Sequence, residues 1–182
     1  MEFQRYTNTE QEGWQAIWQL YEHSFPTCET RMERDHIDAM RDPQFYAMGI
    51  WEAHTLIGLL FYWYNGEFCY VEHFATLPSV RGQGYGAQCL KELCAKYPMV
   101  LLEIEVPVDE MTRRRQGFYE RSGFQVSGYQ HSHPPYRSGD DPHELIALSH
   151  PGPLTPELDE TFLAYRKTYV MRYSEAGRAS RA

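Results

Sequence analysis

Residues 81–86 read Arg-Gly-Gln-Gly-Tyr-Gly, three glycines at alternate positions behind a cation. Ahead of them, Tyr70, Val71, Phe74 and Ala75 form an apolar and aromatic stretch without a helix breaker. Leu77-Pro78 closes it, because proline pushes its predecessor into an extended backbone. Behind the glycines, Ala87, Leu90 and Leu93 recur every three residues with Cys94 next, a helical period. A strand, a glycine turn and a helix start together suit an anion. Glycine lets backbone N–H groups approach a ligand, and the helix end adds partial positive charge. A phosphate-bearing ligand is therefore expected on residues 81–87. Read as G-x-G-x-x-A, Gly82 to Ala87 also fits a dinucleotide-binding turn, and the acid that such a turn asks for is offered by Glu103, about twenty residues on. A tight turn that holds no ligand would use the same residues.

Carboxylates are the next chemical group. Glu72 lies within the stretch that feeds the glycines, and Glu103 and Glu105 share one parity in the apolar run Val100–Val106. A carboxylate inside an apolar strand is costly unless it is paired or used. His131 and His133 stand as H-x-H, but no neighbouring Cys, His or Asp set completes a zinc site, so they read as loop histidines and no metal is expected. No G-x-S-x-G elbow or Ser/His/Asp set is present. Cys89 and Cys94 read as packed thiols, since nothing adjacent would lower their pKa.

The elements that must hold these groups follow from periodicity. An amphipathic helix is expected over residues 9–25, with Thr9 and Glu12 as a capping box and Trp14, Ile17, Trp18, Tyr21 and Phe25 along one core-facing stripe. A second helix is expected from Thr30 to Arg41, its charges, Arg31 among them, forming a solvated face. Phe45–Glu52 and Thr55–Tyr64 read as strands, and Asn65-Gly66 as a type I′ turn that pairs Thr55–Tyr64 antiparallel with Phe68–Ala75. That hairpin counts against the dinucleotide reading, whose glycine turn normally follows the first strand of a parallel unit. Val100–Val106 should then run parallel to the strand before the glycines. A short helix over Met111–Ser122, stopped by Gly123, precedes two closing strands, Phe124–Val126 and Glu144–Leu148.

The segment Arg113 to Phe124 narrows the choice. Read as R-x-x-G-x-G/A, Arg81, Gly84 and Gly86 resemble the pyrophosphate motif of the GNAT superfamily of acetyl-coenzyme A-dependent N-acetyltransferases. Phe118-Tyr119 followed by Gly123-Phe124 is similar to that superfamily's later aromatic-pair motif, in the right order. The resemblance covers residues 1–150 and implies an α/β fold, a mixed twisted sheet of about six to seven strands with helices on both faces. It implies acetyl-CoA (coenzyme A) as co-substrate, held by Phe74, Ala75, Thr76, Arg81, Gly82, Gln83, Gly84, Tyr85, Gly86 and Ala87. It also implies transfer of the acetyl (or another acyl) group to a primary amine by direct attack, without an acyl-enzyme. Tyr119 would protonate the leaving thiolate, being still protonated near neutral pH with an ordinary pKa of about 10. Glu72 is the first candidate for the base, directly or through water, if burial among aromatics such as Tyr70 and Phe74 raises its basicity. Glu103 and Glu105 would bind substrate at the acceptor end. Pairing of these carboxylates with Arg113–Arg115 is the competing reading. Two further functions stay open: a non-catalytic coenzyme A-binding module on the same fold, and a nucleotide-binding oxidoreductase.

Composition sets the outer bounds. With 182 residues, one domain is expected over 1–150, followed by an extension over 151–182 with a helix at about 156–173 and an unstructured end from Glu175. The apolar share of 42% and charged share of 23% are those of a globular rather than a disordered chain. A net charge of −8 argues against nucleic-acid binding by phosphate neutralisation. No apolar run approaches the roughly 20 residues that cross a bilayer, and the opening residues lack a signal-peptide pattern. The expectation is a cytoplasmic protein with reduced cysteines, a small-molecule or peptide amine as acceptor, and room for a homodimer.

Overall fold

Aromatic and branched residues dominate positions 45–64, and they build the middle of the sheet. The computed structural model describes residues 1–179. Seven strands lie in the order β1 (Glu2–Tyr6), β2 (Phe45–Glu52), β3 (Thr55–Tyr64), β4 (Cys69–Thr76), β5 (Val100–Glu105), β7 (His143–His150) and β6 (Gln125–His133). β4 and β5 pair parallel and every other neighbouring pair is antiparallel. Helices α1 (Trp14–Ser24), α2 (Glu33–Met40) and α5 (Pro156–Tyr165) cover one face, and α3 (Tyr85–Lys96) and α4 (Glu110–Arg121) cover the other. Trp14, Tyr21, Phe61, Trp63 and Phe162 belong to the first core, and Leu60, Leu90, Leu93, Leu102 and Tyr119 to the second. No helix among the described residues is long and apolar enough to cross a membrane.

Several expectations need local correction. Strand β1 was not anticipated; its five residues pair with β2 from Glu2↔Trp51 to Tyr6↔Ala47. The Thr9–Glu12 capping box does not form. α1 starts at Trp14 behind Gly13, whose φ of 89° supplies the left-handed residue there. Asn65 does not adopt positive φ, so its turn is not type I′; its side chain instead accepts from the Glu67 and Phe68 amides, at 2.9 and 3.0 Å. Positive φ at two successive residues occurs at Ala53 and His54, between the paired ends Glu52 and Thr55 of the β2–β3 hairpin. β6 and β7 are longer than the sequence suggested, so His131 and His133 sit on a strand and not in a loop.

The C-terminal segment is part of the packing. Thr155 caps α5, accepting from Leu158 N at 3.3 Å, with Pro156 in its first turn. The helical path continues through a wide turn at Arg166–Val170 and a tight one at Met171–Tyr173. Residues 175–179 form α6, where an unstructured end was expected; the rest of that expectation lies outside the described residues.

Candidate active site

β4 and β5 touch for only three residues. Their pairing runs Cys69↔Val100, Tyr70↔Leu101 and Val71↔Leu102, after which β4 stays with β3 and β5 stays with β7. A bulge marks the parting: Tyr62 opposes Val71 and Phe61 opposes His73, leaving Glu72 as the extra residue. The bulge also switches which main-chain groups face the gap. Cys69 N–H points to β5, bonding Met99 O at 2.8 Å, whereas Leu77 N–H points back to Ile57 O at 2.9 Å. By strand alternation the amide of Ala75 also faces β3, and those of Phe74 and Thr76 face the gap. The result is a cleft of about 930 Å³ that runs through the sheet. Phe25, Glu29, His73 and Tyr136 line it from the α1 side, and Phe74, Tyr85, Phe118 and Tyr119 from the α3–α4 side.

The glycine turn forms one end. Gly82 and Gly84 have φ of 78° and 87°, which L side chains rarely adopt, and Gly84 is the residue immediately ahead of α3. A Cβ built on either meets nothing within 4 Å, so their exposed faces are open to a ligand. Gly86 is different, because a Cβ there would lie 3.1 Å from Phe118 Cζ. Phe74, Ala75, Thr76, Arg81, Gly82, Gly84, Tyr85, Gly86 and Ala87 all line the cleft. Gln83 does not; its amide bonds Ser79 O at 3.1 Å and pins the turn.

Tyr119 reaches the cleft from α4. That helix begins with a reciprocal cap, Asp109 Oδ1 accepting from Thr112 N at 2.7 Å and Thr112 Oγ1 from Asp109 N at 3.0 Å. The ring packs edge-on against Phe118 and Phe124, while its hydroxyl has no hydrogen-bond partner among the described residues. Burial pushes this phenol up to about 12, which keeps it protonated.

The carboxylates divide. Glu72 Oε2 and Oε1 accept from Arg31 Nη1 and Nη2, both at 2.6 Å, and further bonds come from Trp63 Nε1 at 3.0 Å and Tyr136 Oη at 2.7 Å. Its side chain and that of Arg31 are fully buried. Burial alone would raise this carboxyl, but the guanidinium holds it at about 2. The basicity expected of Glu72 is thus reversed, and only its main chain borders the cleft. Glu103 is sealed likewise by His131 Nδ1 at 2.7 Å, Tyr70 Oη at 3.1 Å and Arg166 Nη1, and burial is again outweighed, leaving it at about 2. His131 also reaches Asp159 at 2.9 Å; held between two carboxylates, it is raised despite burial. Glu105 is the half-exposed one and pairs with Arg115, the only member of Arg113–Arg115 to meet these acids.

Sequence reasoning missed Arg31, Arg166, Tyr136, His73 and Glu29. Arg31 was read as solvated, yet it donates to Tyr173 O and Val170 O as well, at 2.9 and 3.1 Å. His73 follows Glu72 on the same face because of the bulge. Its Nε2 lies 2.9 Å from Glu29 O, and burial lowers it to about 4. Among the described residues no group of three or more His, Cys, Asp or Glu could hold a metal ion.

Comparison with known proteins matches residues 14–124 to the acetyltransferase (GNAT) family. A Bacteroides thetaiotaomicron protein assigned to the GNAT acetyltransferases shares 34% identity, over 93% of this chain and 98% of that one, with a TM-score of 0.84. The ribosomal-protein-S18-alanine N-acetyltransferase from Escherichia coli shares the fold at 14% identity, covering 86% of this chain and 96% of its own (TM-score 0.60). A Bacillus subtilis acetyltransferase in complex with CoA does so at 11% identity, 81% and 96% coverage and a TM-score of 0.54. No curated protein matches the chain.

Proposed function

Given that this chain belongs to the GNAT acetyltransferase family, we propose that it moves an acetyl group from acetyl-CoA to a primary amine by direct attack. The observation that carries this reading is the parting of β4 and β5 at the Glu72 bulge, which leaves the Phe74 and Thr76 amides facing a cleft that ends on the Gly82–Gly84 turn. A pantetheine arm can pair with those amides as a substitute strand while the pyrophosphate lies on the turn and the start of α3. The thioester then sits in the gap. Its carbonyl oxygen accepts a main-chain N–H as negative charge develops, and Tyr119 donates its proton to the departing sulfur. The amine enters from the α1 side, where Glu29 and Glu105 supply negative charge. The E. coli neighbour is a ribosomal-protein-S18-alanine N-acetyltransferase, so this fold admits a peptide as well as a small amine.

Calorimetry tests the cofactor. Acetyl-CoA should bind and NADH should not. Gly84→Val, which forces a branched side chain into φ of 87° beside the open cradle, should weaken acetyl-CoA binding by roughly ten-fold or more. Tight NADH binding without acetyl-CoA binding would reject the reading. A non-catalytic coenzyme A-binding module would bind acetyl-CoA yet release no thiol with any amine, and the free Tyr119 hydroxyl counts against it.

A further inference from the structure

The cleft has two sides, and Tyr119 serves only one of them. Amide formation takes a proton from nitrogen while one is delivered to sulfur, so a group on the α1 side must receive it. Glu72 and Glu103 cannot, since each carboxylate is sealed by its donors. His73 commits Nε2 to Glu29 O, and its Nδ1 is buried without a partner. His133 is built differently. Its Nδ1 lies 2.7 Å from Pro134 O, and a carbonyl only accepts, so Nδ1 carries the proton and Nε2 holds the lone pair. The residue is 4% exposed, lines the cleft, and its Nε2 has no hydrogen-bond partner among the described residues.

We propose that His133 Nε2 receives the proton of the attacking amine. This rests on the acetyl-transfer reading above. An amine that arrives as an ammonium first gives one proton to His133 Nε2, which solvent carries away. As the nitrogen–carbon bond then forms and the carbon–sulfur bond breaks, the second proton passes from nitrogen to the same Nε2 and one from the Tyr119 hydroxyl to sulfur. Solvent then takes the proton from His133 and returns one to Tyr119, restoring both. Burial lowers His133, so the ring is neutral and ready at neutral pH. The groups facing it are Glu103 from β5, Glu72 and His73 from β4, Arg166 from the C-terminal segment, and Tyr136, 5.3 Å away between ring centroids. Its register partner on β7 is His143.

The test uses acetyl-CoA with ethylamine, which is protonated at neutral pH, and with hydroxylamine, which is largely unprotonated, reading thiol release. His133→Asn keeps an N–H for Pro134 O and lacks the basic nitrogen; His133→Gln substitutes for it if the first variant does not fold. Ethylamine turnover should fall roughly 10²–10⁴-fold and recover as pH rises, hydroxylamine turnover should fall far less, and calorimetric affinity for acetyl-CoA should hold. Equal losses with both nucleophiles, or a pH profile parallel to the parent's, would overturn the proposal. A nitrogen–proton NMR correlation on the parent decides the matter even if ethylamine proves too small to be held. A neutral ring with the proton on Nδ1 supports the proposal, and an imidazolium or an Nε2–H tautomer at neutral pH refutes it. A parent that neither binds acetyl-CoA nor releases thiol removes the acetyl-transfer reading itself, which is a separate failure.

Discussion

β4 and β5 border two sets of polar groups, and these differ in how far their atoms are satisfied. On the α1 side both oxygens of Glu72 and of Glu103 accept at least one hydrogen bond, from Arg31, Trp63 and Tyr136 in one case and His131, Tyr70 and Arg166 in the other. In the cleft the reverse holds. The Tyr119 hydroxyl and His133 Nε2 have no partner among the described residues, and the Phe74 and Thr76 amides turn toward a gap where the neighbouring strand has departed. A saturated buried ion pair costs so much to disturb that it serves architecture, whereas polar atoms left without partners are the ones available to a ligand. Charge in a strand is therefore a poor guide to catalysis unless its partners are known.

The largest expected effect falls on the open side. Tyr119→Phe deletes one hydroxyl that has no hydrogen-bond partner among the described residues, so the fold and the affinity for acetyl-CoA should change little. Turnover with an amine should drop roughly 10²–10⁴-fold, the usual weight of a general acid. A variant that turns over like the parent would make Tyr119 a packing residue and blur the contrast between the two regions.

On the sealed side the effect should be on stability. Arg31→Met leaves Glu72 as a buried charge with its main partner gone, a change that typically costs about 3–5 kcal/mol. Denaturant unfolding would show it, and adding Glu72→Gln should recover part of the loss, since the uncompensated charge is then removed. A loss below about 1 kcal/mol for Arg31→Met would mean that water reaches the pair and that the region is not sealed.

This contrast also explains which parts of the molecule the sequence disclosed. The glycine turn and the Phe118-Tyr119 pair are local, each spelled out within a few neighbouring residues, and both line the cleft. The role of Arg31 depends on carbonyls 139 and 142 residues away in the C-terminal segment, which no local pattern encodes. His131 and His133 read as loop residues because Gln125–His133 is polar on both parities. A break in register between Val126 and Gln130, with Gly128 at φ of 78°, further hides the strand. The bulge at Glu72 was equally invisible. It sets Glu72 and His73 on one face and redirects the amides that follow, so the most plausible base by residue type was sealed away while the gap opened beside it.

Glu72→Gln is the smallest expected perturbation of the reaction, and it separates the two regions most cleanly. The folded carboxyl titrates at about 2 against an ordinary value of 4.5. A depressed carboxyl contributes stability that is fully present above its unfolded pKa and is lost as pH falls through the folded one. The stability gap between parent and variant should accordingly be widest near neutral pH and close as pH falls from about 5 toward 2. The pH–rate profile should behave in the opposite way: once both proteins are folded, the variant's curve should run parallel to the parent's, because the carboxylate does not reach the cleft. A variant slowed at neutral pH whose rate recovers as pH rises would return the base assignment to Glu72 and displace His133. It would also show that the bond from Arg31 opens when the amine binds, and the line between a sealed region and a reactive one would have to be drawn elsewhere.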